Sequence, residues 1–223
     1  MGIGYKKDFM KYQSIIFDLD GVICSTDQYH YMAWKQIADD EGIYFDDKIN
    51  EQLRGISRMQ SLEIILERAP RVYTQAEKEL LAARKNGIYV KLLDNMTTAS
   101  VAPDTLNTLK ALRLKGIKMA VGSSSKNTKL ILSKIGLAEF FDAVADGTMV
   151  THSKPHPEVF IKALDMLGGR PCESLVVEDA IAGIEAASKG GFASAGLRDA
   201  RNHKKVTYKI DRVSDILYVL ESA

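Results

Sequence analysis

The sequence predicts an α/β fold: a doubly wound parallel sheet with an inserted α-helical cap domain. Three observations predict it. Short apolar runs, each ending in a polar cluster, recur at Ser14 to Phe17, Lys118 to Val121 and Leu175 to Val177. Amphipathic helical stretches lie between the later runs, the alternation of a parallel sheet. The segment from about Asp27 to Asn95 breaks this alternation, reading as several amphipathic helices with no buried strand.

Taken in order, residues 1–9 read as a leader or frayed end, with Met10 an equally good start. Ser14-Ile15-Ile16-Phe17 has the continuous apolarity of a strand buried on both faces, and it delivers Asp18-Leu19-Asp20-Gly21 at its carboxyl end. The helical insertion closes with a capping box, Thr74 with Glu77 three positions on, and its last helix runs to about Leu92. Connectors near Ile23 to Asp27 and Leu93 to Pro103 let the insertion hinge over the strand ends. The expected domains are therefore 1–25 with 96–223, and 26–95. Further helices are expected at Asp104 to Lys115, Thr128 to Ile135, Pro157 to Leu167 and Ala180 to Lys189.

Composition narrows the function. Thirty Lys and Arg against 29 Asp and Glu leave a formal charge of +1 over 223 residues, so no global field favours nucleic acid or an anionic membrane. No apolar run approaches a membrane span. Cys24 and Cys172 fit no metal or CxxC spacing, and a reducing cytoplasm is expected.

Four strand-end segments can carry chemistry. Asp18 and Asp20 form a carboxylate pair that a cation or proton must share if buried; an acidic turn around Gly21 is an equally good reading. Glu178 and Asp179 end another strand and offer oxygen ligands suited to Mg²⁺, although Asp179 alone also reads as an acidic helix cap. Ser123 to Asn127 opens a helix with hydroxyls and N–H groups able to hold phosphate, or is an ordinary polar loop. Lys154, flanked by Ser153 and Pro155, reads in isolation as a solvated lysine. All four in one chain shift the balance toward a site.

These motifs resemble those of the haloacid dehalogenase superfamily phosphotransferases, whose core is Rossmann-like. The resemblance implies that Asp18 is the nucleophile, Asp20 the general acid/base, and Ser123 and Lys154 further catalytic groups. It implies Mg²⁺ held by Asp18, Asp20, Glu178 and Asp179. Within the superfamily the chain is most similar to the β-phosphoglucomutases, through Gln52 to Arg58, Ala83 to Asn86 and Ser125 to Asn127. That likeness implies substrate contacts from Thr26, His30, Trp34, Arg58, Ser61, Lys85, Ser125, Lys126 and Asn127. Read as residues alone, Arg58 and Lys85 are equally surface cations, and His30 a packed histidine on the face of Trp34 and Ile37. Cys24-Ser25 departs from the more polar, acidic pair expected there.

The implied activity is interconversion of β-D-glucose 1-phosphate and glucose 6-phosphate through phospho-Asp18 and the 1,6-bisphosphate. The implied alternative is a Mg²⁺-dependent sugar-phosphate phosphatase. A monomer binding a small sugar phosphate is expected. His30 is expected to gate Asp20 from the first cap helix. A receiver domain is disfavoured by the insertion and by Asp20, and a dehalogenase by Asp20 and Glu178-Asp179.

Overall fold

The computed structural model describes residues 11–222, so the reading of residues 1–9 lies outside the described residues. The first strand, β1 (Ser14–Phe17), is wholly buried. Four helices follow: α1 (Asp27–Asp40), α2 (Asp47–Glu51), α3 (Arg58–Leu66) and α4 (Gln75–Leu92). The chain then alternates through α5 (Pro103–Leu114), β2 (Lys118–Gly122), α6 (Thr128–Lys134), β3 (Ala143–Ala145), α7 (Glu158–Leu167) and β4 (Ser174–Glu178). It ends with α8 (Ile181–Lys189), β5 (Ala193–Gly196), β6 (Tyr208–Lys209) and α9 (Asp215–Ser222).

The six strands form one parallel sheet in the order β3-β2-β1-β4-β5-β6. Period-two alternation divides its residues between two cores. Ile15, Phe17, Met119, Val121, Leu175 and Val177 face one layer, with residues of α5, α6 and α9. Ile16, Ala120 and Val176 face the other, against Val159, Phe160 and Ala163 of α7 and Ala186 and Ala187 of α8. Helices on both faces explain why the strands read as continuous apolar runs.

Helices α1 to α4 bury a cluster of their own around Trp34, Ile37, Phe45, Leu62, Ile65 and Leu81. The predicted capping box is present: Thr74 accepts from the Glu77 main chain, and Glu77 reaches back to Thr74. A second box, Ser57 with Gln60, starts α3. Both connectors are short, the second passing through two 3₁₀ turns at Leu93–Asn95 and Thr98–Ser100. The helical layer rests on the sheet's carboxyl edge through polar contacts. Arg54, held within the helical layer by Asp27 Oδ2 at 2.7 Å, donates across to Asp199 Oδ2 at 3.1 Å. Ser124 Oγ donates to the Gly55 carbonyl at 3.1 Å. Among the described residues no helix is long and apolar enough to cross a membrane, and both cysteines are free, Cys24 buried and Cys172 exposed.

Candidate active site

The parallel register brings the strand-end motifs together. Phe17 pairs with Val121 on one side and Val177 on the other. The ladder continues one residue further: Asp18 N donates to Val177 O at 2.9 Å, and Ser123 N to Ala145 O at 3.1 Å. Asp18, Ser123 and Glu178 thus leave the sheet at one edge. β1 and β4 flank the point where strand order reverses, the crevice where open α/β sheets bind ligands.

Lys154 is fully buried there, so its reading as a solvated lysine is corrected. Its Nζ donates to Asp18 Oδ1 at 2.6 Å and to Glu178 Oε1. Burial disfavours the ammonium, but the Asp18 and Glu178 carboxylates outweigh it and hold Lys154 above its ordinary value. Glu178 Oε2 accepts from Asp179 N at 2.9 Å and Ala180 N at 3.0 Å. Asp179 makes no cap: α8 starts from Ala180 with no side-chain capping bond.

Asp18, Glu178 and Asp179 place donor oxygens within 4.8 Å of one another, all buried. Burial, then the neighbouring carboxylates, pushes Asp179 up; burial does the same to Glu178. Three carboxylates facing one buried ammonium are short of positive charge, since Arg198 approaches Asp179 at only 3.6 Å from an exposed position. An all-oxygen donor set with surplus negative charge fits a hard divalent cation.

Two glycines make this packing possible. A methyl at Gly21, where φ is +81°, would lie 1.9 Å from Asp179 Oδ2. One at Gly183, on α8, would lie 2.0 Å from Glu178 Cδ, a carboxylate already fixed by Lys154 and two N–H groups. Overpacking of this kind costs ~1–3 kcal/mol. Gly183→Ala is expected to lower Tm by roughly 2 °C or more and to weaken divalent-ion binding. Calorimetry with and without Mg²⁺ checks this, and unchanged values would show that α8 gives way.

The Asp20 side chain stands outside the carboxylate cluster, as suits an acid/base that does not ligate the metal through its carboxyl. Thr26 draws it away: the Thr26 N–H donates to Oδ1 and its hydroxyl to Oδ2, each at 2.6 Å. Tyr89 OH, from α4, donates to Thr26 Oγ1 at 2.9 Å. Desolvation is the strongest influence on Asp20, and it outweighs the two Thr26 bonds to push the carboxyl up to about 6. His30 Nε2 stands 3.9 Å from Asp20 Oδ2, too far for a hydrogen bond. The hydrogen bonds that hold Asp20 here come from Thr26, backed by Tyr89, and not directly from His30. His30 stacks on Tyr89 with ring centroids 4.2 Å apart, and its Nδ1 lies 2.8 Å from Lys85 Nζ. Lys85 is buried, 4.8 Å from the Trp34 ring centroid and 4.6 Å from that of Tyr89, not on the surface. Burial, then the Arg58 charge, holds it well below its ordinary value; burial, then Lys85 and Arg58, does the same to His30.

The opposite wall carries a second polar group. Arg58 NH2 donates to Asn86 Oδ1 at 2.7 Å, and Asn127 Nδ2 donates to the same oxygen at 2.9 Å. Burial lowers the Arg58 guanidinium. Ser123 Oγ accepts from Ser125 N at 3.2 Å, and Ser125 Oγ from Asn127 N at 3.1 Å, so the loop is ordered by its own hydroxyls. Lys126 is exposed at the rim. Ser61 is buried and donates to the Ser57 carbonyl at 3.1 Å. Asp18, Asp20 and Asp179 on one side and Arg58, Asn86 and Asn127 on the other line one cavity of about 510 Å³, with Trp34, Ser61 and Lys126 on its walls; Lys154 and Glu178 lie buried behind it. Thr26 stands behind Asp20 and does not line it. Sequence reasoning missed Tyr89, whose only signal was its place one turn after Lys85, and the Arg54 contacts.

A haloacid dehalogenase-like hydrolase model matches residues 12–191. A β-phosphoglucomutase of Bacillus subtilis is 38% identical over 206 residues, covering 92% of this chain and 91% of its own. The crystal structure of β-phosphoglucomutase from Clostridium difficile superposes with a TM-score of 0.88 at 37% identity, covering 94% of this chain and 96% of that one. A fructose-1-phosphate phosphatase of Escherichia coli is 28% identical over 195 residues, covering 85% and 98%. The family model spans most of the chain and the identity to the Bacillus subtilis protein spans nearly all of it, so the chain belongs to the haloacid dehalogenase-like hydrolase family, on its β-phosphoglucomutase branch.

Proposed function

We propose that the chain is a phosphomutase that interconverts β-D-glucose 1-phosphate and glucose 6-phosphate through phospho-Asp18 and the 1,6-bisphosphate. One observation carries this reading: a single cavity has two ends suited to phosphate, the Asp18 edge, backed by the buried Lys154, and the Arg58, Asn86 and Asn127 wall. A phosphatase needs only the first. A planar guanidinium matches phosphate oxygens, so the second end holds the phosphate that is not reacting.

In the transfer, an Asp18 oxygen attacks phosphorus as the bond to the sugar oxygen breaks, and Asp20 gives that oxygen its proton. On return, Asp20 takes the proton from the attacking hydroxyl as phosphorus leaves Asp18. A group at about 6 serves both directions near neutral pH. Lys154 offsets the repulsion between Asp18 and the phosphoryl oxygens. Asp18, Asp179 and Glu178 would hold Mg²⁺, which when bound would supply further positive charge to offset that repulsion. The Arg54 and Ser124 contacts keep the helices over the edge and exclude water. Free thiols support a cytoplasmic, reducing setting.

The test supplies β-glucose 1-phosphate, a trace of bisphosphate and Mg²⁺, and counts glucose 6-phosphate against inorganic phosphate. Glucose 6-phosphate is expected to dominate, and chelation to stop the reaction reversibly. Phosphate release alone would make the chain a phosphatase.

The Asp20 carboxyl also sets a pH limb. The returning step needs the carboxylate, so turnover is expected to fall as pH drops through about 6. Thr26→Val removes a hydroxyl that stabilises the charged form, which raises Asp20 further. A charge-assisted bond of ~1.5 kcal/mol corresponds to about one pH unit, so the limb moves up by about that much. A pH profile of kcat for the variant checks it, and an unmoved limb would mean that the Thr26 bond is absent during turnover.

A further inference from the structure

The loop between β3 and α7, with the first residue of α7, carries a second group of metal-ligand side chains that the proposed reaction does not use. His152, His156 and Glu158 each present a donor atom, and the three lie within 4.8 Å of one another. His152 Nδ1 stands 3.3 Å from Glu158 Oε2. The two imidazoles face each other with centroids 4.7 Å apart and planes inclined by 37°. Glu158 is already aimed: the Thr151 N–H donates to Oε1 at 3.1 Å and the His152 N–H to Oε2 at 2.8 Å. Lys162 Nζ approaches Oε1 at 3.8 Å, and the Glu158 N–H donates to His156 Nδ1 at 3.3 Å, both long enough to yield to an ion.

We propose that His152, His156 and Glu158 bind a divalent cation of the Zn²⁺ class, at a site separate from the carboxylate cluster of the cleft. Two imidazoles and one carboxylate are the three protein ligands of an open tetrahedral zinc centre, whereas Mg²⁺ prefers oxygen alone. Ligands at ~2.0–2.2 Å from such an ion stand roughly 3.3 Å apart, so the donors move inward by about 1 Å. The His152 side chain is 65% exposed, so no packed core opposes that movement. Pro155 and Pro157 flank His156 and keep the loop in place. The outer face of the loop would bind the ion, while Lys154, between the two histidines in sequence, reaches inward to Asp18.

Co²⁺ is the probe, because its visible absorption reports four-coordinate nitrogen and oxygen ligation. Titration of the full chain in excess Mg²⁺ is expected to show one tight equivalent, with Zn²⁺ competing for it. His152→Ala and His156→Ala are expected to weaken it by at least about tenfold, the loss typical of even an outer-shell change. Asp18→Asn, which alters only the cleft, is expected to bind Co²⁺ as the wild type does. Three results would overturn the proposal: no tight equivalent, binding unchanged in His152→Ala, or displacement by Mg²⁺ together with loss in Asp18→Asn. The exposed position of His152 keeps that variant folded, so its result is interpretable.

Discussion

Asp18→Asn is expected to lose at least ~10³-fold in turnover while keeping its fold, because an amide does not attack phosphorus and is a poorer cation ligand. The geometry predicts the stability as well as the rate. Asp18, Glu178 and Asp179 face a single buried ammonium, and Lys154 retains its bond to Glu178 in the variant. Removing one of three crowded carboxylates relieves repulsion, so Tm without metal is expected to stay the same or rise. Initial rates, thermal unfolding and the protein's mass after exposure to bisphosphate check both halves. A variant that still gains a phosphoryl group, or retains more than about one part in 10³ of its rate, would remove Asp18 from the nucleophile's role.

Arg58→Ala is expected to separate mutase chemistry from simple acyl-phosphate hydrolysis. Arg58 stands on the wall away from Asp18 and shares Asn86 Oδ1 with Asn127. Loss of one charge-assisted bond to the distal phosphate costs ~1.5–3 kcal/mol, or roughly 10- to 150-fold in kcat/KM for β-glucose 1-phosphate. Acetyl phosphate has no second end to hold, so its hydrolysis is expected to change little. Equal losses on the two substrates would place Arg58 at the reacting phosphate or in the packing of α3. The Asn86 oxygen then keeps Asn127 as its one donor, and Asn127→Ala in the same assay tests whether the pair acts as a unit.

Much of this arrangement was legible in the residues. Ser14 to Phe17 is buried on both faces, and such a strand must be continuously apolar; it reads as a strand without its partners. The Thr74 and Glu77 box closes locally, so three residues suffice to mark the start of α4. The strand-end acids and the serine loop were placed by the same logic. Other elements were invisible for physical reasons. β3 is Ala-Val-Ala and β5 Ala-Ser-Ala-Gly, small residues with little strand preference of their own, held in the sheet by ladders to β2 and β4. β6, two residues long, and α9 at the chain's end likewise form against neighbours distant in sequence.

The chemistry divides in the same way. Residue types and their order along the chain determined which groups stand at the strand ends, because a parallel sheet aligns those ends whatever its loops do. Only the tertiary structure decided their states. Lys154 and Lys85 read as solvated cations until the fold buries one between two carboxylates and the other against Trp34 and Tyr89. Asp20 reads as an acid/base beside the nucleophile, but only the fold shows that Thr26 holds it, with Tyr89 behind Thr26 from a helix 63 positions away. A sequence carries the identity of each charge, but its solvation and its partner depend on contacts between distant segments, and those contacts set whether a group binds metal, moves a proton or packs.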